Sequence, residues 1–184
     1  MKFVLITGLK ETGKDTIIKL VLDGSKKILP KFKYINFKSI VREKWFEENI
    51  DKMEKAKERF YKDLEKAVGD AFKEGKHVIV NGYFTVKTGH GYLPVISEDF
   101  FDTFNPDILI LIEAEKPKMK GDMIYGAKLK SLNDADWFQQ EINRVYASFY
   151  SAVSGALLKI VTVKPGNVKS VIKEINELMR YSLD

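Results

Sequence analysis

Gly8, Gly13 and Lys14 are the first residues in this chain whose types and spacing suggest chemistry. They lie in Gly8-Leu9-Lys10-Glu11-Thr12-Gly13-Lys14-Asp15-Thr16, directly behind the apolar run Phe3-Val4-Leu5-Ile6. The pattern G-x-x-x-x-G-K-[ST] fits up to its last position, where Asp15 stands in place of the hydroxyl residue. A glycine-rich turn between a buried strand and a helix directs successive backbone N–H groups inward. The helix N-terminus adds partial positive charge, so phosphate oxygens are bound without specialised side chains. Gly8, Lys10, Glu11, Thr12, Gly13, Lys14, Asp15 and Thr16 are therefore candidate phosphate-binding residues, with Lys14 reaching the outer phosphates. The alternative is an ordinary strand-to-helix turn carrying a surface lysine.

A Ser or Thr after the lysine normally contacts magnesium, assisted by an acidic residue at the end of a neighbouring strand. In this chain the strand-like His77-Val78-Ile79-Val80 ends in Asn81. One position has gained a carboxylate and the other has lost one, so the two departures read as linked. Asp15, Thr16 and Asn81 are the candidate magnesium ligands, since hard oxygen donors suit that ion. The competing reading is that Asp15 caps the first helix, where Asp is favoured anyway.

These groups need a scaffold that brings distant segments to one place. Short apolar segments rich in β-branched residues recur at Lys2 to Thr7, Tyr34 to Phe37, His77 to Asn81, Asp107 to Ala114 and Lys159 to Val163. Between them run helical spacings: Met53, Ala56, Phe60, Leu64, Ala67, Val68, Ala71 and Phe72; then Trp137, Ile142, Val145, Tyr146, Phe149, Val153 and Leu157. Val168, Val171, Ile172, Ile175, Leu178 and Met179 form a third run, and all three are expected to be core faces. Strands alternating with helices predict an α/β fold with a parallel sheet of about five strands and helices on both faces. Ligands of such sheets bind beyond the carboxyl ends of the strands. Gly8 to Thr16, Asn81 to Pro94 and Glu115 to Ser131 must then share one rim.

The 184 residues contain no linker-like stretch, which predicts a single domain over 1–184. Ile108 to Ile112 is the longest aliphatic run, far short of the roughly 20 apolar residues of a membrane span. Met1-Lys2 leads straight into a strand, and a soluble, cytoplasmic protein is expected. Cysteine is absent, which excludes disulfides and thiolate metal sites, and His77 and His90 alone cannot build a histidine-rich centre. The net charge of +5 is compatible with anionic ligands such as nucleotides or with weak RNA affinity, although an ordinary solvated surface is the stronger reading of it.

The chain resembles archaeal-type adenylate kinases, as a divergent member of the nucleoside monophosphate kinases. The resemblance runs through the phosphate loop, "YINFKSIVRE" at 34 to 43, "VNGYFTVKTGHGYLP" at 80 to 94, "FNPDILILIEA" at 104 to 114 and "EINRVYASFYSAVSGALLKIV" at 141 to 161. Most specific is "TVKTGHGYLP", similar to the archaeal T-I-K-T-x-x-G-Y-L-P. The "GKDT" ending also occurs in some phage deoxynucleotide kinases, so Asp15 is not by itself a sign of a dead loop. The resemblance implies a P-loop kinase three-layer sandwich with an acceptor-binding region at about 38–75 and a short lid at about 115–131. It also implies transfer of the γ-phosphoryl group of ATP, with Mg2+, to a nucleoside monophosphate, AMP being the expected acceptor.

By the same resemblance Arg42 holds the acceptor phosphate, for which a planar guanidinium is better suited than lysine. Lys87, with nearby Thr85, joins the acceptor site, and Arg144 points back at the transferring phosphate. His90 is not counted as a base, because phosphoryl transfer rests on positioning and electrostatics. The expected lid carries Lys116, Lys118, Lys120, Lys128 and Lys130 but no arginine, a departure from the family clamp. Two alternatives follow: a kinase for another (deoxy)nucleoside monophosphate, or a weakly active nucleotide-binding protein with an RNA or protein partner, like the adenylate-kinase-like ribosome-assembly factors. Archaeal adenylate kinases are typically trimers, so the resemblance implies a homo-oligomer. Apolar strips beside Trp45-Phe46 or near Phe100-Phe101 fit either an interface or the core.

Overall fold

The first strand, β1 (Phe3–Gly8), is buried at every position, a condition that only a sheet covered on both faces can meet. The computed structural model describes residues 1–9, 12–24, 29–40, 53–115, 123–124, 127–128, 134–164 and 166–181. In chain order β1 leads to α1 (Lys14–Gly24), a 3-10 turn (Leu29–Lys31), β2 (Phe32–Asn36), α2 (Phe37–Ile40), α3 (Met53–Lys73) and β3 (His77–Asn81). There follow β4 (Thr85–Thr88), β5 (Gly91–Pro94), α4 (Glu98–Phe104), β6 (Ile108–Ala114), β7 (Met123–Ile124) and β8 (Ala127–Lys128). The chain closes with α5 (Asp134–Ser154), β9 (Leu157–Val163) and α6 (Val168–Tyr181).

The main sheet has five strands in the order β2-β3-β1-β6-β9, and every neighbouring pair is parallel. Side chains alternate between its faces. Phe3 and Leu5 share one core with Phe60, Leu64, Val68 and Ala71 of α3, with Phe100 and Phe101 of α4, and with Tyr150 of α5. Val4 and Ile6 share the other with Ile17, Ile18 and Val21 of α1 and Val168, Val171, Ile175 and Met179 of α6. The three-layer sandwich is thus as expected, and the apolar stripes of α3 and α6 face inward. Phe100 and Phe101 belong to the core, whereas Trp45 and Phe46 lie outside the described residues.

Helix α5 departs from the sequence expectation. Val145, Phe149 and Val153 are exposed, while Gln139, Gln140, Asn143, Ala147 and Tyr150 are buried; Leu157 is not helical but opens β9. The reason is what α5 packs against. Its first half meets the ends of β4 and β6, where backbone polar groups must find partners. Gln140 receives the N–H of Ala114 at 2.8 Å and donates to the same residue's carbonyl at 3.0 Å, and Gln139 donates to the Thr85 carbonyl at 3.0 Å. Polar side chains therefore turn inward. Residues 85–94, read from sequence only as part of the rim, form an antiparallel hairpin pairing Thr85 with Pro94 and Thr88 with Gly91. Within the stretch expected as lid, β7 and β8 pair antiparallel.

Candidate active site

The site begins where β1 stops. A Cβ at Gly8 would collide with the carbonyl oxygen of Ile112 on the adjacent β6, and its φ of 140° lies where only glycine is comfortable. The loop then tightens: the Thr12 hydroxyl donates to the Leu9 carbonyl at 2.7 Å. Gly13 takes a φ of 77° before α1 begins at Lys14. Lys10 and Glu11 lie outside the described residues. Lys14 is buried, and its ammonium donates to the carbonyl of Gly82 just beyond β3, 5.8 Å from the centre of the Tyr83 ring. The strand register explains the meeting, because Ile6 of β1 lies beside Asn81 of β3, and both chains turn out of the sheet at the same edge.

Asp15, one residue on, is half-buried and engaged through both carboxylate oxygens. Oδ1 accepts from the Asn81 side-chain amide at 3.0 Å and Oδ2 from the Lys38 ammonium at 2.6 Å. Burial alone would raise the carboxyl pKa, but the hydrogen bonds of Lys38 and Asn81 and the charges of Lys14 and Lys38 outweigh it and hold the group below the usual carboxylate value. Both oxygens therefore point outward from α1 to other elements rather than serving as a helix cap. Asn81 is 1% exposed and donates also to the Tyr34 hydroxyl at 2.9 Å, while its own Oδ1 is buried without a hydrogen-bond partner. An aspartate there would oppose one carboxylate with another. Asn supplies the N–H that Asp15 needs, which explains why the two positions depart together.

Among the described residues no group of three or more His, Cys, Asp and Glu could hold a metal. Asp15 and the orphaned Asn81 oxygen form a smaller set of hard donors. Such a set fits an ion like Mg2+, which keeps several waters and takes other oxygens from phosphates. Thr16 is exposed on α1.

On the other side of β1, Glu113 is the next-to-last residue of the otherwise apolar β6, with 1% of its side chain exposed. Arg144 of α5 clamps it bidentately, Nε donating to one oxygen at 2.9 Å and Nη2 to the other. The Glu113 hydrogen bonds and charge raise the guanidinium pKa further. Two of the five donors are thereby engaged, and the side chain is half-exposed. Lys87 is exposed on β4, whereas Thr85 is buried and spends its hydroxyl on Asn143 at 2.8 Å. Arg42 and the lid lysines 116, 118, 120 and 130 lie outside the described residues, as does the side chain of Lys128. Sequence reasoning missed Lys38, Tyr34 and Glu113. Only Glu113 left a signal, as a lone charge closing the run Ile108-Leu109-Ile110-Leu111-Ile112.

Known proteins resemble this chain in sequence and in fold. A family described as AAA domain matches residues 7–134. The adenylate kinase of Pyrococcus abyssi is 30% identical over 186 residues, covering 96% of this chain and 92% of that protein. That of Methanococcus vannielii is 29% identical over 188 residues, covering 96% and 97%. Among solved structures, thymidylate kinase from Ehrlichia chaffeensis superposes with a TM-score of 0.61 at 12% identity, covering 97% of this chain and 98% of that one. Thymidylate kinase from Candida albicans gives 0.57 at 16% identity, covering 98% and 92%, and both likenesses concern the fold alone. With a phosphate loop at the switch point of a β2-β3-β1-β6-β9 sheet and full-length similarity to the archaeal enzymes, the chain belongs to the adenylate kinase family, enzymes of the nucleoside monophosphate kinase type.

Proposed function

We propose that the protein transfers the γ-phosphoryl group of ATP to AMP, reversibly giving two ADP. One observation carries this reading: at the junction of α1 and β3, Lys14 bonds to the Gly82 carbonyl and Asp15 to Asn81, in a glycine-loop setting suited to phosphates. Lys14 and the loop amides hold the donor phosphates. Asp15, Thr16 and Asn81 serve magnesium, which when bound supplies charge neutralisation at the phosphate oxygens. Arg42 and Lys87 bind the acceptor phosphate. Arg144, oriented by Glu113, directs its remaining donors to the transferring group, where preorganised positive charge lowers the barrier. AMP as acceptor draws support from the archaeal relatives, which are named adenylate kinases.

The test is diphosphate formation from ATP and Mg2+ with each common ribo- and deoxyribonucleoside monophosphate in turn. AMP is expected to be the best acceptor, and Lys14→Ala to lower kcat about 100- to 1,000-fold, the scale for losing one preorganised donor. Faster turnover with another monophosphate would reassign the acceptor. No turnover with any of them would overturn the assignment as a kinase.

A further inference from the structure

Lys38 belongs to neither the phosphate loop nor the residues that the family resemblance assigns, yet its side chain reaches the site. It sits in α2, directly behind β2. Its backbone N–H donates to Asn36 Oδ1 at 3.0 Å, and the Ser39 hydroxyl donates to the Asn36 carbonyl at 2.6 Å. The preceding Phe37 is buried against the rings of Phe60, Tyr83 and Phe100. With Phe37 turned into the core, Lys38 reaches across to α1 and caps Asp15 Oδ2 at 2.6 Å. The pair lies at the mouth of the site, with 34% of the Lys38 side chain and 44% of the Asp15 side chain exposed.

A carboxylate inside a phosphate loop creates a difficulty: without compensation it repels the phosphates that the loop exists to bind. Lysine, a flexible point charge with three donors, relieves it. We propose that Lys38 is a tethered cation of the phosphate site, neutralising Asp15 until a divalent cation takes that carboxylate and then turning its ammonium to a phosphate oxygen. The inference rests on the donor-site reading given above. Ion pairs this exposed are weak, so the exchange is easy.

The test is calorimetric and needs no turnover. The wild-type protein and Lys38→Met are titrated with a non-hydrolysable ATP analogue in chelator, and their analogue complexes are then titrated with Mg2+. Lys38→Met removes both a competitor for Asp15 and the compensating charge. It should tighten Mg2+ binding and weaken metal-free analogue binding, each by about 2- to 5-fold, the scale of a partly exposed ion pair. Lys38→Arg should stay within about 2-fold of wild type on both measures, since the charge is kept. In an Asp15→Asn background, Lys38→Met should leave Mg2+ affinity unchanged. The opposite signs separate exchange from structural damage, which would weaken both. Analogue binding with no change in Mg2+ affinity, or with both affinities moving together, would overturn the role of Lys38 alone. Failure of the wild-type protein to bind the analogue with or without Mg2+ would overturn the donor-site reading, and this inference with it.

Discussion

Asn81→Asp adds one oxygen for one nitrogen and should be among the most damaging conservative changes in the chain. The Asn81 amide nitrogen lies 3.0 Å from Asp15 Oδ1, and Asn81 is 1% exposed. Two unit charges at that distance repel by about 5 kcal/mol at an effective dielectric of roughly 20. The penalty has a ceiling, because one carboxyl can instead stay protonated; at pH 7 that costs about 1.4 kcal/mol for each of roughly 3 pH units, or about 4 kcal/mol. Asp15 is 44% exposed and keeps Lys38 on its other oxygen, which screens the pair and brings the expected loss to about 2–3 kcal/mol. For a chain of this length that corresponds to roughly 4–12 °C in Tm. The pH dependence follows from the sign of the shift. The new carboxyl has a folded pKa raised above its unfolded value of about 3.9, so its deficit is small at and below that pH and grows as pH rises through the raised pKa. Wild-type Asp15 shifts the other way, contributing stability above its unfolded pKa that is lost as pH falls through the lowered folded value. Urea unfolding of both proteins between pH 4 and 8 reads the difference directly. The stability curves should converge toward pH 4 and separate toward neutrality. Equal stabilities at pH 7, or a deficit that does not vary with pH, would refute the pairing of positions 15 and 81.

Two further outcomes are expected. Glu113→Gln leaves Arg144 without its buried carboxylate partner, so kcat should fall roughly 10-fold or more, the scale of losing a charge-assisted contact, with the KM for ATP nearly unchanged; steady-state kinetics against each substrate reads this split. Burial raises the Tyr150 hydroxyl to about 12 from 10.0, aided by Tyr146 and other neighbouring groups, so its contribution to stability is complete below the unfolded pKa and is lost as pH rises through the folded one. Tyr150→Phe should flatten the loss of stability between about pH 10 and 12, as followed by circular dichroism during alkaline unfolding, while removing the hydrogen bond to the Ile96 carbonyl.

The sheet was legible because its strands are buried on both faces and so read as short apolar runs, and α3 and α6 because one side of each faces a core. Lys14, Asp15 and Asn81 could be named from a single local pattern and the end of one strand. Helix α5 differs from the expected face: Tyr146 packs on the core, but Val145, Phe149 and Val153 are exposed, and Gln139, Gln140 and Asn143 turn inward beside Ala147 and Tyr150 to partner groups at Thr85 and Ala114, far away in sequence. Lys38 and Glu113 escaped for a related reason. Their partners stand 23 and 31 residues away, and no local periodicity records such a pair. The Asp15–Asn81 exchange was visible as two anomalies. Its geometric cause, a donated N–H between them, needed the register of β1 against β3.

Gly82 meets constraints from two directions. Its carbonyl receives the Lys14 ammonium, and a Cβ on it would come within 2.7 Å of the Phe37 ring. The lysine belongs to the phosphate loop, and the ring anchors the helix that carries Lys38. In a lineage drifting under mutation, either partner could be exchanged and repaired locally, but a side chain at 82 would push on Phe37 through a backbone unit that also anchors Lys14. The position therefore sets a limit on divergence. The phosphate loop tolerates rewriting at single residues, as Asp15 illustrates, while a side chain at 82 would disturb Phe37 and the Lys14 anchor together.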